Sequence, residues 1–82
     1  MNVEHLVSMA NQIGRYYEAY PDRGEALKSA ATHVRRYWDP RMRTALLHHM
    51  DADNGEGLDT FMAEAVRTHR GDLTPAQKTE PR

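Results

Sequence analysis

One tetrapeptide, Tyr37-Trp38-Asp39-Pro40, constrains the chain most. It holds the only tryptophan and a proline that no helix interior tolerates, and helical periodicity approaches it from both sides. Asp39 is a natural N-cap, accepting a bond from a free backbone N–H. Pro40 suits the first helical position, where its missing N–H costs nothing. The tetrapeptide therefore reads as a corner between two helices, with Trp38 as its anchor. Four arginines, Arg35, Arg36, Arg41 and Arg43, surround that anchor.

A second proline cuts the chain upstream. Before Pro21 the apolar positions are Val3, Leu6, Val7, Ala10, Ile13, Tyr17 and Tyr20, spaced by threes and fours on one helical stripe. Asn2 is placed to cap this first helix. Gly14, inside the stripe, weakens a helix by ~1 kcal/mol relative to Ala, and reads either as a close approach of another helix or as a glycine that is simply tolerated. Asp22 and Glu25 have the spacing of a capping box for a second helix, whose inner face holds Leu27, Ala30, Ala31, Val34, Tyr37 and Trp38. After Pro40 the inner positions are Met42, Ala45, Leu46, His49 and Met50. A Gly- and Asp-rich loop, 51–57, leads to a fourth helix capped by Asp59, carrying Phe61, Met62, Ala65 and Val66, and stopped by Gly71. From Asp72 the chain is polar and aperiodic. The expected architecture is all-α, a small bundle of four short helices over 1–71 with a disordered tail over 72–82.

Size limits what such a bundle does alone. A single core in 82 residues rarely supplies more than ~3–5 kcal/mol, and without cysteine no disulfide or thiolate metal site reinforces it. Marginal stability alone, or completion by a partner, a second copy included, is the default expectation. The amino terminus has no signal-peptide pattern and no apolar run approaches the ~20 residues of a membrane span, so a soluble cytoplasmic protein is expected.

Chemistry is scarce. Asp51 and Asp53 fit the first and third positions of an EF-hand loop, but Glu56 stands where glycine is needed and Met62 where the bidentate glutamate belongs. His48 and His49 are adjacent and so point ~100° apart on a helix. His5, His33 and His69 fall on separate helices, so no metal site is expected. No nucleophile setting and no phosphate loop is present, which argues against an enzyme. The net charge of −1 and the Asp-Pro junction weigh against a helix-turn-helix. A free-standing regulator binding nucleic acid through the basic 35–43 corner remains the alternative reading. Arginine beside Trp, Tyr and Met instead has the composition of a protein-binding hot spot.

Two segments carry a resemblance. Leu6-Val7-Ser8-Met9-Ala10-Asn11-Gln12-Ile13-Gly14 and Val34-Arg35-Arg36-Tyr37-Trp38-Asp39-Pro40-Arg41-Met42-Arg43 resemble the signature stretches of the delta subunit of soluble, molybdenum-containing, NAD-dependent bacterial formate dehydrogenases. Gly55-Glu56-Gly57-Leu58 and the helix after it are similar too, so the likeness spans about residues 3–70. Tyr16, Tyr17 and Tyr37 stand where phenylalanine is more usual, and their hydroxyls ask for polar partners or a water-facing edge. The His48-His49 pair and a longer acidic loop are further departures. The resemblance implies a non-catalytic accessory subunit that binds the catalytic alpha subunit, stabilising the complex or assisting cofactor maturation. It implies that bis-molybdopterin guanine dinucleotide, iron–sulfur clusters, FMN and NAD are held by other subunits and none by this chain. The expected partner-binding set is Asn11, Gln12, Arg35, Arg36, Trp38, Asp39, Arg41 and Arg43, with no nucleic acid and no membrane.

Overall fold

Capping chemistry sets the element boundaries in the computed structural model, which describes residues 2–75. Helix α1 runs Val3–Glu18, and the Asn2 side chain accepts from His5 N at 3.1 Å. Helix α2 is Arg23–Tyr37, with Asp22 Oδ1 accepting from Glu25 N at 3.0 Å. Helix α3 is Pro40–Asp53, with Pro40 in its first turn and Asp39 Oδ1 accepting from Met42 N at 3.0 Å. Helix α4 is Thr60–Thr68 and a single turn, α5, is Arg70–Leu73. The described chain is thus all-α, as the periodicities require.

The core forms where the stripes meet. Leu6 and Ala10 of α1, Leu27, Ala30 and Val34 of α2, Leu46 and Met50 of α3, and Phe61, Met62, Ala65 and Val66 of α4 make one buried cluster. Trp38 joins it at 5 % exposure, so the corner anchor is part of the core. Gly14 marks the closest approach of α1 to α4. A Cβ built there would sit 3.4 Å from Met62 Cβ and 3.5 Å from Phe61 Cδ2. Helix α3 packs on α1 and α5, while α1, α2 and α4 pack on one another.

Two expectations about the chain's second half are corrected. Gly71 does not terminate the fourth helix, which ends at Thr68. His69, at φ −111° and ψ 29°, breaks the geometry before the chain re-enters α5 with Gly71 inside it. Leu73, beyond the edge drawn at 71, is 1 % exposed and closes the core between α2, α3 and α4. One leucine among polar neighbours has no periodicity to reveal it. The remainder of the expected tail, 76–82, lies outside the described residues.

Helix α3 also runs on through Asp53 before the acidic loop begins. Asn54 caps it in the left-handed conformation at φ 57°, and Gly55 and Gly57 follow at φ 69° and 93°. The left-handed conformation is costly for β-branched or bulky side chains, and the Asn-Gly-Glu-Gly run places asparagine or glycine at each of the three positions that adopt it, 54, 55 and 57. Finally, Asp59 sits at the head of α4 but its carboxylate makes no capping bond. It lies 3.6 Å from Arg15 Nη1, drawn to the charge on α1.

Candidate protein-docking surface

The expected eight-residue patch does not come together as one surface. Asn11 is occupied inside the chain: its Nδ2 donates to Gly57 O at 3.0 Å, and its Oδ1 accepts from Asp59 N at 2.8 Å. Both ends of the amide pin the 54–59 turn to α1. Trp38 is buried and Asp39 is engaged as a cap. Arg43 was expected to point outward with Arg41. Instead it is half-buried, its Nη1 donates to Leu73 O at 3.4 Å, and its Nε is buried without a partner. The reason is α5, whose last carbonyls have no intrahelical partner and present an acceptor beside α3. A reading that placed 72 onward in a tail had no acceptor there.

Gln12, Arg35, Arg36 and Arg41 remain exposed. Gln12 and Arg36 lie on opposite walls of a groove of about 760 Å3 between α1 and α2. Its floor and rim are aromatic. Tyr16, Tyr17 and Tyr20 come from α1 and the turn after it, and His33 and Tyr37 from α2. Successive ring centroids run Tyr20 to Tyr17 at 5.3 Å, Tyr17 to His33 at 5.9 Å and His33 to Tyr37 at 4.8 Å. Tyr16 stands edge-on to Tyr17 at 4.9 Å. Sequence reading assigned Tyr17, Tyr20 and Tyr37 to inner stripes. Tyr17 is half-buried, but Tyr16, Tyr20 and Tyr37 are 66 %, 41 % and 71 % exposed.

The hydroxyls account for this placement. The Tyr17 hydroxyl lies 3.4 Å from His33 Nδ1, giving the half-buried ring a polar neighbour, while the Tyr16 and Tyr37 side chains stand largely exposed. Partial desolvation first, and the adjacent Tyr16 and Tyr17 second, raise the Tyr20 phenol above its usual pKa. A strip of exposed rings is costly to leave in water and rare without a role. Ile13, Glu25, Lys28, Ser29 and Thr32 complete the lining.

Charge accentuates the groove. Arg15, Arg23 and Arg70 each pair with a carboxylate, Asp59, Glu64 and Asp51 respectively. Among the described residues Lys28, Arg35, Arg36, Arg41, Arg43 and Arg67 have no carboxylate at ion-pairing distance, but Arg43 donates to Leu73 O and Arg67 to Asn54 Oδ1. The other four fall on α2 and the start of α3, with Lys28 and Arg36 in the groove wall. Arg41 lines a separate apolar groove of about 610 Å3 with Val3, Pro40, Thr44, Ala45, His48 and Pro75.

The adjacent histidines diverge as helix geometry requires. His48 is exposed and His49 buried. The Glu56 carbonyl, which only accepts, takes a bond from His49 Nε2 at 2.7 Å, so that nitrogen carries the hydrogen. Nδ1 lies 3.3 Å from Asp53 Oδ2 but off the line of a hydrogen bond. His49 thus holds the acidic turn from α3 as Asn11 holds it from α1. Among the described residues no group of three or more His, Cys, Asp or Glu side chains is arranged to hold a metal ion. No helix of the described chain is long and apolar enough to cross a membrane.

Comparison with known proteins agrees with the motif reading. Searches of curated proteins and of solved structures return no match. Residues 5–66, which contain all but the first two residues of α1, the aromatic groove, the Trp38 corner and the pinned turn, match the model of the NADH-dependent formate dehydrogenase delta subunit FdsD, and the chain belongs to that family.

Proposed function

We propose that this chain is a non-catalytic accessory subunit that docks on the catalytic alpha subunit of an NAD-dependent formate dehydrogenase, stabilising the complex or assisting its maturation with cofactor. The observation that carries the docking reading is the exposed aromatic groove between α1 and α2, edged by unpaired cations. Tyrosine and arginine dominate protein-binding hot spots, because a ring buries a large area with few rotors and a guanidinium pairs with carboxylates and carbonyls. Catalysis and the bis-molybdopterin guanine dinucleotide, iron–sulfur, FMN and NAD groups are assigned to other subunits. Within the groove the chemistry is that of contact: phenols, an imidazole and cations. The setting proposed is the cytoplasm.

Within the expected set, Gln12 and Arg36 keep a docking role directly, and Arg35 and Arg41 keep it as flanking charges. Asn11, Trp38, Asp39 and Arg43 support the surface from inside. The test is an affinity capture of the tagged chain from its native host grown with formate, with mass spectrometry and a molybdenum assay of the captured material. A large molybdenum-bearing polypeptide in fixed ratio is the expected result. Recovery of nucleic acid or of the chain alone would refute the reading.

A further inference from the structure

Resting on the docking reading above, we infer that the aromatic groove receives an α-helix of the catalytic partner, one that presents an apolar stripe flanked by carboxylates. The groove between two packed helices carries the shape. Its rings touch one another, with centroids 5.3, 5.9 and 4.8 Å apart, and so form a continuous aromatic lining between α1 and α2 of the kind into which an amphipathic helix lays its apolar face. Recognition of this kind reads anchors at i, i+3 or i+4, and i+7.

The other occupants fit less well. A strand added by main-chain bonding needs an open sheet edge, and the described chain has none. A second copy packed groove to groove would bring Lys28 and Arg36 of both copies into one seam, with only Glu25 from each lining to offset them. Stacked bases need parallel ring faces. Here Tyr16 meets Tyr17 at 86°, and Tyr17 meets Tyr20 and His33 at 61° each.

Charge selects the flanks of the incoming helix. Lys28 and Arg36 are eight residues apart, hence about two turns along one side of α2, and both are unpaired. Glu25 is the one acidic residue in the lining. A helix with aspartate or glutamate beside its apolar anchors satisfies both cations, and Arg35 next to Arg36 extends the same field.

The experiment places p-benzoylphenylalanine at Tyr16 or at Tyr37, both well exposed, and assembles each variant with the dehydrogenase. Irradiation and peptide mapping then identify what lies in the groove. The expected crosslinks fall on one helical segment of the catalytic subunit, at positions three, four or seven residues apart, beside Asp or Glu. The doubly charge-reversed chain, K28E with R36E, is expected to bind at least ~10-fold more weakly at low salt, with the difference shrinking as salt rises. Crosslinks to a loop or strand, to a second copy or to nucleic acid overturn the inference. So does an absence of crosslinks in a chain that still co-purifies. If the unmodified chain does not co-purify with the dehydrogenase at all, the docking reading itself falls, together with the inference built on it.

Discussion

Replacing Asn11 by Ala should destabilise the fold without touching the docking groove. The side chain makes two bonds, 3.0 Å to Gly57 O and 2.8 Å from Asp59 N, and both go in one substitution. Gly57 and Asp59 are exposed, so water takes over part of what is lost. Each bond is then worth ~0.5–1.5 kcal/mol, or ~1–3 kcal/mol for the pair. Alanine returns roughly 0.5 kcal/mol through its higher helix propensity, leaving a net loss of about 0.5–2.5 kcal/mol. In a domain of this size 1 kcal/mol moves the midpoint by ~4–8 °C, so the melt should fall by roughly 2–20 °C. Far-UV circular dichroism on heating reads this directly, with Gln12→Ala, one residue away and exposed, as the control that should stay put. An Asn11→Ala melt within about 2 °C of the parent would refute the pinning argument. So would a loss of partner affinity at a temperature where the variant is fully folded.

Gly14→Ala should stabilise the protein by ~0.5–1 kcal/mol, because the added Cβ meets α4 at ordinary contact distance while the helix gains propensity; urea denaturation measures it. Gly55→Ala should cost ~1–3 kcal/mol in the same assay, since φ is 69° and the new Cβ would sit 2.6 Å from Met50 Sδ. Arg41→Ala should weaken partner binding in a titration while leaving the melt unchanged. Arg43→Met, which keeps the apolar stem and removes the buried Nε, should leave both partner affinity and stability within ~1 kcal/mol of the parent. A collapse in affinity there would restore Arg43 to the docking surface.

Local signals made most of the first half of the fold legible. Asn2, Asp22 and Asp39 cap where their side chains and spacing say they must, because a cap is chemistry confined to four residues. Trp38 was recognisable as a corner anchor for the same reason. Contacts between residues distant in the chain were not legible. Asn11 bonds a turn 46 residues away, and a polar residue beside an apolar stripe looks the same whether it faces water or a carbonyl. Leu73 and the Arg43 interaction it enables depend on one side chain with no periodic context. The groove was half-visible. Tyrosine in place of phenylalanine pointed to a wet edge, while the stripe in which Tyr37 falls pointed inward; the exposed side chain follows the first.

The packing pattern divides the molecule into unequal parts. Helices α1, α2 and α4 brace one another, but α3 leans on α1 and on the single turn of α5. Such a layout sets a three-helix block against a fourth helix, which is joined to it through the Trp38 corner and the pinned turn and brings Leu46, Leu47 and Met50 into the shared core. Removing the latch at Leu73 would free α3 before the block unfolds, in a sub-global opening that slow amide exchange in α1, α2 and α4 would not register. The basic side chains of α3 would then sit on the most easily released element of the structure. A partner that grips Arg41 would feel that mobility as an entropic cost of holding the helix in place.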